Sequence, residues 1–156
     1  MEALNNLIDD LESKIELKDL INTQVSERDV SWHVAHCLKV ISKIMEAVQN
    51  SNPEEYRWKF NFNRSLVGTL GFIPRGKGKA PKSVLPSEHI SIAILQDECY
   101  AVRKSIDELQ HLDARCHFQH PYFGTLNLKQ TKKFLAIHTK HHLKIIDDII
   151  SKNARL

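Results

Sequence analysis

The sequence predicts an all-α fold: a four-helix bundle with a long irregular connection between its second and third helices. Two observations carry this. Apolar residues recur at three- and four-residue spacing along four stretches of roughly 20 residues each, the pattern of amphipathic helices packed around one core. Seven of the ten Gly and Pro residues fall between Gly68 and Pro86, which punctuates the chain once in its middle. With 156 residues the chain has the size of one domain, and 1–156 reads as a single bundle domain.

The first helix reads from Glu2 to Asn22, with Leu4, Leu7, Ile8, Leu11 and Ile15 on a stripe that drifts towards Leu17, Leu20 and Ile21. Ser26, followed by Glu27, Arg28 and Asp29, resembles an N-terminal capping box for a second helix running to Gln49, before Pro53. Its stripe is Val30, Val34, Leu38, Ile41, Met45 and Val48. The aromatic stretch Glu54 to Val67 (Tyr56, Trp58, Phe60, Phe62) reads as a short helix or loop covering one end of the bundle. Ser87 is the expected cap of a third helix to Leu112, whose stripe is Ile92, Leu95, Cys99, Val102, Ile106 and Leu109. A turn holding His120, Pro121 and Gly124 follows. Asn127 with Gln130 then caps a fourth helix to Lys152, with Thr131, Leu135, Ile145, Ile146 and Ile149 inward.

Composition narrows the function classes. A hydrophobic share of 42% and a charged share of 26% describe a globular protein and exclude disorder and collagen-like repeats. The opening MEALNNLIDD carries three acids and no apolar run, so neither a signal peptide nor a membrane anchor is expected. Cys37, Cys99 and Cys116 are odd in number and lack C-x-x-C spacing, which argues for free thiols in the cytoplasm rather than disulfides or a thiolate zinc site. The net charge of +3 is smaller than the four charges of Arg75, Lys77, Lys79 and Lys82. The basicity is therefore local to one loop, and no nucleic-acid partner is expected. That loop either holds an anionic substrate group or is a solvated surface.

Nine histidines are the least ordinary feature. Three lie in the string FLAIHTKHHLKII of the fourth helix. At about 100° per residue, Leu135, Ile146 and Ile149 fall within about 40° of His142, and His138 falls about 40° to the other side. His138 and His142 thus share the middle of the apolar stripe, while His141 sits at its border and Lys133, Lys140 and Lys144 lie opposite. Residues four apart have Cβ atoms about 5–6 Å apart, so the two imidazoles can converge on one ion. Left without partners, two buried imidazoles would cost about 1–3 kcal/mol for each unsatisfied group, so something polar should meet them. The plain structural alternative is that each finds a carbonyl or hydroxyl and does nothing else. A third ligand is offered by VSWHVAHCLKV, where periodicity places His33 at the stripe edge and His36 further round, and so selects His33. His117 and His120, ahead of the fourth helix, could also fold over the site.

Three imidazoles with an open position would form a catalytic rather than a closed structural site. Such a donor set suits zinc or nickel first, then iron, manganese or copper. No carboxylate identifies itself as a general acid or base, and His120 and His141 are the nearest candidates for supporting the ligands or moving protons. A di-iron carboxylate bundle is disfavoured, because the fourth helix lacks the Glu-x-x-His pattern.

The strings HPYFGTLNLKQTKKFLAIHTKHHLKII and SWHVAHCLKVI resemble the DinB/YfiT-like superfamily, in particular its branch with His-Pro-x-Phe-Gly ahead of His-x-x-His-His. The resemblance covers roughly 60 residues in two blocks. It implies a bundle with a long crossover, in which one histidine of the second helix and a pair from the last bind a divalent metal. Position by position it implicates His36, His138 and His142, preferring His36 where periodicity prefers His33; His33 stays as the alternative. It further implies a metal-dependent transferase or hydrolase that activates a thiol or water against a small-molecule substrate, with a low-molecular-weight thiol as the expected cosubstrate. The competing class is a non-catalytic metal-binding or interaction module on the same bundle. Ile94 and Tyr100 lie off the stripe of the third helix, apolar surface that a homodimer would cover.

Overall fold

The computed structural model describes residues 2–76, 81–86 and 90–154. These are mostly helical: α1 (Glu2–Glu12), α2 (Val30–Gln49), α3 (Phe62–Leu70), α4 (Ile92–Glu108) and α5 (Leu128–Asn153). Short 3-10 turns occupy Ile15–Leu17, Pro53–Glu55, Lys82–Val84 and Leu109–His111. The fold is not purely helical. The turn expected around His120 is an antiparallel hairpin of β1 (His117–His120) and β2 (Gly124–Asn127), in which His120 pairs with Gly124 and His117 with Asn127.

Helix α2 packs on α4 and α5, and α1 packs on the same two helices from the other side. The core between them holds the expected stripes: Leu4, Leu7, Ile8 and Leu11 of α1, Val34, Leu38 and Ile41 of α2, Leu95, Cys99 and Val102 of α4, and Leu135, Ile146 and Ile149 of α5. Arg103 of α4 bridges Asp9 (2.5 Å) and Glu12 (2.7 Å) of α1 at its rim.

Four helix boundaries depart from expectation: the end of α1, the start of α2 and both ends of α4. Helix α1 stops ten residues before Asn22. The Ser13 hydroxyl donates to the Asp10 carbonyl (2.7 Å) and the Lys14 N–H takes the Leu11 carbonyl, which tightens the last turn. The released chain is used by α2, since the carbonyls of Leu20 and Lys18 accept the N–H groups of Val30 (3.0 Å) and Ser31 (2.9 Å). Leu17 and Ile21 are consequently exposed, against the predicted drift of the stripe.

The cap of α2 is Asp29 and not Ser26: its carboxylate accepts the Trp32 N–H at 2.8 Å. Helix α4 is capped by Ser91 and gives way to a 3-10 turn at Leu109. The expected cap, Ser87, lies outside the described residues, as do Lys77 and Lys79 of the basic loop.

The fourth predicted helix starts as read. Asn127 accepts the Gln130 N–H (3.0 Å), and the Gln130 side chain accepts the Asn127 N–H (3.1 Å). Replacing Asn127 with alanine should lower stability by about 1 kcal/mol, read as a fall in urea midpoint at unchanged slope.

The hairpin ahead of this cap has its own supports. Phe118 and Leu126 are buried and face each other across the strands. Gly124 has φ 66°, a left-handed conformation that suits glycine. His120 Nδ1 accepts the N–H groups of Tyr122 (3.1 Å) and Phe123 (3.2 Å). Arg64 of α3 donates to the carbonyls of Phe123 and Thr125, and also to that of Lys59. Helix α3 is held largely by such polar contacts, because it buries none of its own residues, and Trp58, Phe60 and Phe62 are exposed rather than covering the core.

Candidate metal centre

Helix α2 sits against α4 and α5 and is also packed by the 3-10 turns at Ile15–Leu17 and Lys82–Val84, and its N-terminal half is buried nearly all round, from Val30 to Leu38 except Trp32. Both His33 and His36 are therefore inside, and α5 brings His138 and His142 up to them. The side chains of His36, His138 and His142 each offer one ligand atom, all within 4.8 Å of one another. Ring centroids lie 4.7 Å apart for His138 and His142, 4.8 Å for His36 and His142, and 5.2 Å for His36 and His138.

Hydrogen bonds orient two of the three rings. His36 Nδ1 lies 2.9 Å from the Val84 carbonyl, an acceptor that requires Nδ1–H and leaves the Nε2 lone pair free. Trp32 stacks on the same ring, 4.9 Å between centroids and 12° between planes. His142 Nδ1 lies 3.0 Å from His33 Nδ1, so Nε2 is the nitrogen it has left for an ion. The third ring differs: His138 Nδ1 is buried with no hydrogen-bond partner among the described residues.

All three are poor bases here. Burial, followed by the neighbouring His36, His141 and His120, pushes His138 down to about 3. Burial, followed by His138, His36, His33 and His141, holds His142 well below the usual imidazole value. Burial lowers His36 too, opposed by its bond to the Val84 carbonyl. At neutral pH the cluster is three uncharged imidazoles, the protonation state a metal ligand needs.

These residues fit a divalent transition metal. Nitrogen ligands at about 2.0–2.1 Å in tetrahedral geometry stand about 3.4 Å apart, so small side-chain rotations would close the group on an ion. The Val84 carbonyl on His36 is the kind of outer partner that ligating histidines commonly have.

The other predicted residues are placed as follows. His33 lies beside the group but outside it, with Nε2 3.0 Å from Ser26 Oγ and Nδ1 engaged by His142. His141 is half-buried and edge-on to His142, with 5.1 Å between ring centroids. His120 stacks on Phe123 (4.4 Å) and meets Phe134 at 4.8 Å; Phe134 in turn lies 5.7 Å from His138. It therefore supports the hairpin first. His117 turns away, bonding the Arg115 carbonyl. Arg75 of the basic loop pairs with Asp148 of α5 at 2.7 Å, so its guanidinium already has a carboxylate.

Sequence reasoning missed Trp32, Ser26 and Val84. The first is adjacent in sequence to a histidine and carries no motif; the others act through a hydroxyl and a backbone carbonyl that no pattern marks. Glu98 of α4 was also unmarked: burial raises its carboxyl pKa, opposed by the nearby Lys39, and its Oε2 is buried without a partner.

Comparison with protein-family models, curated proteins and solved structures finds no match to this chain. No helix among the described residues is long and apolar enough to cross a membrane.

Proposed function

We propose that the chain is a DinB/YfiT-like metal-dependent enzyme in which His36, His138 and His142 hold one divalent transition metal and a thiol or water is activated against a small electrophile. The observation that carries this reading is the convergence of three neutral imidazoles from two helices, one of them with a buried nitrogen that none of the described residues satisfies. On this reading α1, α2, α4 and α5 are the four-helix bundle and the segment between α2 and α4 is its crossover.

A bound ion of this kind lowers the pKa of a coordinated water or thiol towards neutrality. The chain's own residues supply the rest. His36 is held by Val84 and Trp32, His142 by His33, and the apolar walls from α2 and α5 keep the rings uncharged. Zinc or nickel suits three imidazoles first, with iron or manganese next. The three free, buried cysteines accord with a reducing cytoplasm and are not ligands in this arrangement.

Elemental mass spectrometry on untagged protein tests the reading. About one equivalent of a transition metal is expected in the wild type, lost in both His138→Ala and His36→Ala, together with thiol-transferase or hydrolase activity that depends on that ion. No uptake after incubation with zinc or nickel overturns it. Stoichiometric metal with no turnover across a broad substrate panel overturns the enzymatic part and leaves a metal-binding module.

A further inference from the structure

We infer that Ser26 and His33 act as positioning residues that fix the tautomer of His142, so that its Nε2 lone pair, and not an N–H, faces the metal position; this rests on the metal reading above. Two contacts form the chain. Ser26 Oγ is 3.0 Å from His33 Nε2, and His33 Nδ1 is 3.0 Å from His142 Nδ1.

A neutral imidazole has one N–H and one lone pair. When two such rings meet Nδ1 to Nδ1, one must donate and the other accept. If His142 donates, its proton sits on Nδ1 and Nε2 is free for an ion. His33 then accepts at Nδ1, carries its own proton on Nε2, and needs an acceptor there. Ser26 Oγ supplies it: one lone pair takes the Arg28 N–H at 3.0 Å and the second is available to His33. In the reverse order Ser26 would donate its hydroxyl to His33 Nε2, His33 would donate from Nδ1, and His142 would carry its proton on Nε2, the nitrogen left for the ion, and could not bind metal; the metal reading selects the first order.

The local structure keeps Ser26 available for this task. Asp29 caps α2 in its place, so the Ser26 hydroxyl is not drawn to the helix N-terminus. His33 is buried, which excludes water as a competing partner for its Nδ1. The result parallels His36, whose Nδ1–H is taken by the Val84 carbonyl. One ligand is oriented by the backbone and the other by a side-chain relay.

Nitrogen-15 spectra of histidine-labelled, metal-free protein and zinc affinity by chelator competition test this together. The wild type should show His142 protonated on Nδ1. His33→Ala should shift His142 towards the Nε2–H form and weaken zinc binding 10–100-fold, the usual cost of removing such a partner. His33→Asn, whose side-chain oxygen can stand where Nδ1 stood, should restore most of the affinity. Ser26→Ala should weaken binding in the same direction. A wild-type His142 protonated on Nε2, or a folded His33→Ala that binds zinc as tightly as wild type, overturns the relay. A wild type that takes up no zinc overturns the metal reading itself.

Discussion

Replacing His138 with leucine should stabilise the metal-free protein and abolish its metal binding. His138 Nδ1 is buried without a partner among the described residues, and an unsatisfied group of that kind costs about 1–3 kcal/mol. Leucine has similar bulk and a better helix propensity, and it offers apolar surface to the neighbouring Phe134. In the presence of EDTA the variant should melt several degrees above wild type, since about 1 kcal/mol moves Tm by roughly 2–4 °C in a chain of this length. Adding zinc should reverse the order. The wild type gains about 2.7 kcal/mol at a hundredfold excess over Kd, and the variant gains nothing. A leucine variant that melts below wild type in EDTA would show that His138 serves the fold without a metal.

Mild acid should be the second large perturbation. His33 and His120 are held at about 4 and His138 at about 3, in each case chiefly by burial. For His33 the next cause is His36, with Asp29 opposing and His141 and Arg75 adding to the fall. Released by unfolding, each ring titrates near 6.5. The unfolded chain therefore binds more protons between pH 6.5 and about 4, so stability is fully present above 6.5 and is lost as pH falls through that window. Each well-buried imidazole contributes a slope approaching about 1.4 kcal/mol per pH unit, so His33 and His138 together give up to about 3, and the more exposed His120 adds less than its full share. Against a total stability of about 5–15 kcal/mol, a loss of a few kcal/mol by pH 5.5 is a large fraction, so the metal-free protein should be clearly destabilised before its carboxylates titrate. Urea titrations in EDTA at pH 7.5 and 5.5 measure this directly. Equal stabilities at the two values would mean that the rings are protonated in the folded state.

Much of the helical framework and of the histidine cluster was legible in the residues, and the failures have physical causes. Helix α5 was read nearly to the residue because Asn127 and Gln130 form a reciprocal cap and one face is apolar throughout. His138 and His142 followed from that face. Helix α2 was harder: a helix packed on several sides has no clear polar edge, so its phase cannot rank positions within it. His33 and His36 are equally buried, at 3% and 4% exposure. Periodicity chose the one that contacts His142 through Nδ1, and the family motif chose the one that joins the cluster. The end of α1 was missed because Ile15 continues the apolar spacing while the backbone has already tightened. The hairpin was missed because its strands are four residues each, too short for alternation to show.

The contact between His33 and His142 joins residues 109 positions apart. His138 and His142 need only one turn of helix to be neighbours, and any helical fragment of α5 would present them. The α2 histidine reaches them only after the chain has closed a loop of about a hundred residues, an entropic step completed when the long-range packing forms. Full ligand number is thus a property of the finished tertiary structure and of no piece of it. During synthesis α2 must wait for α5 to emerge, so the three histidines come together only in the cooperative event that packs these two helices.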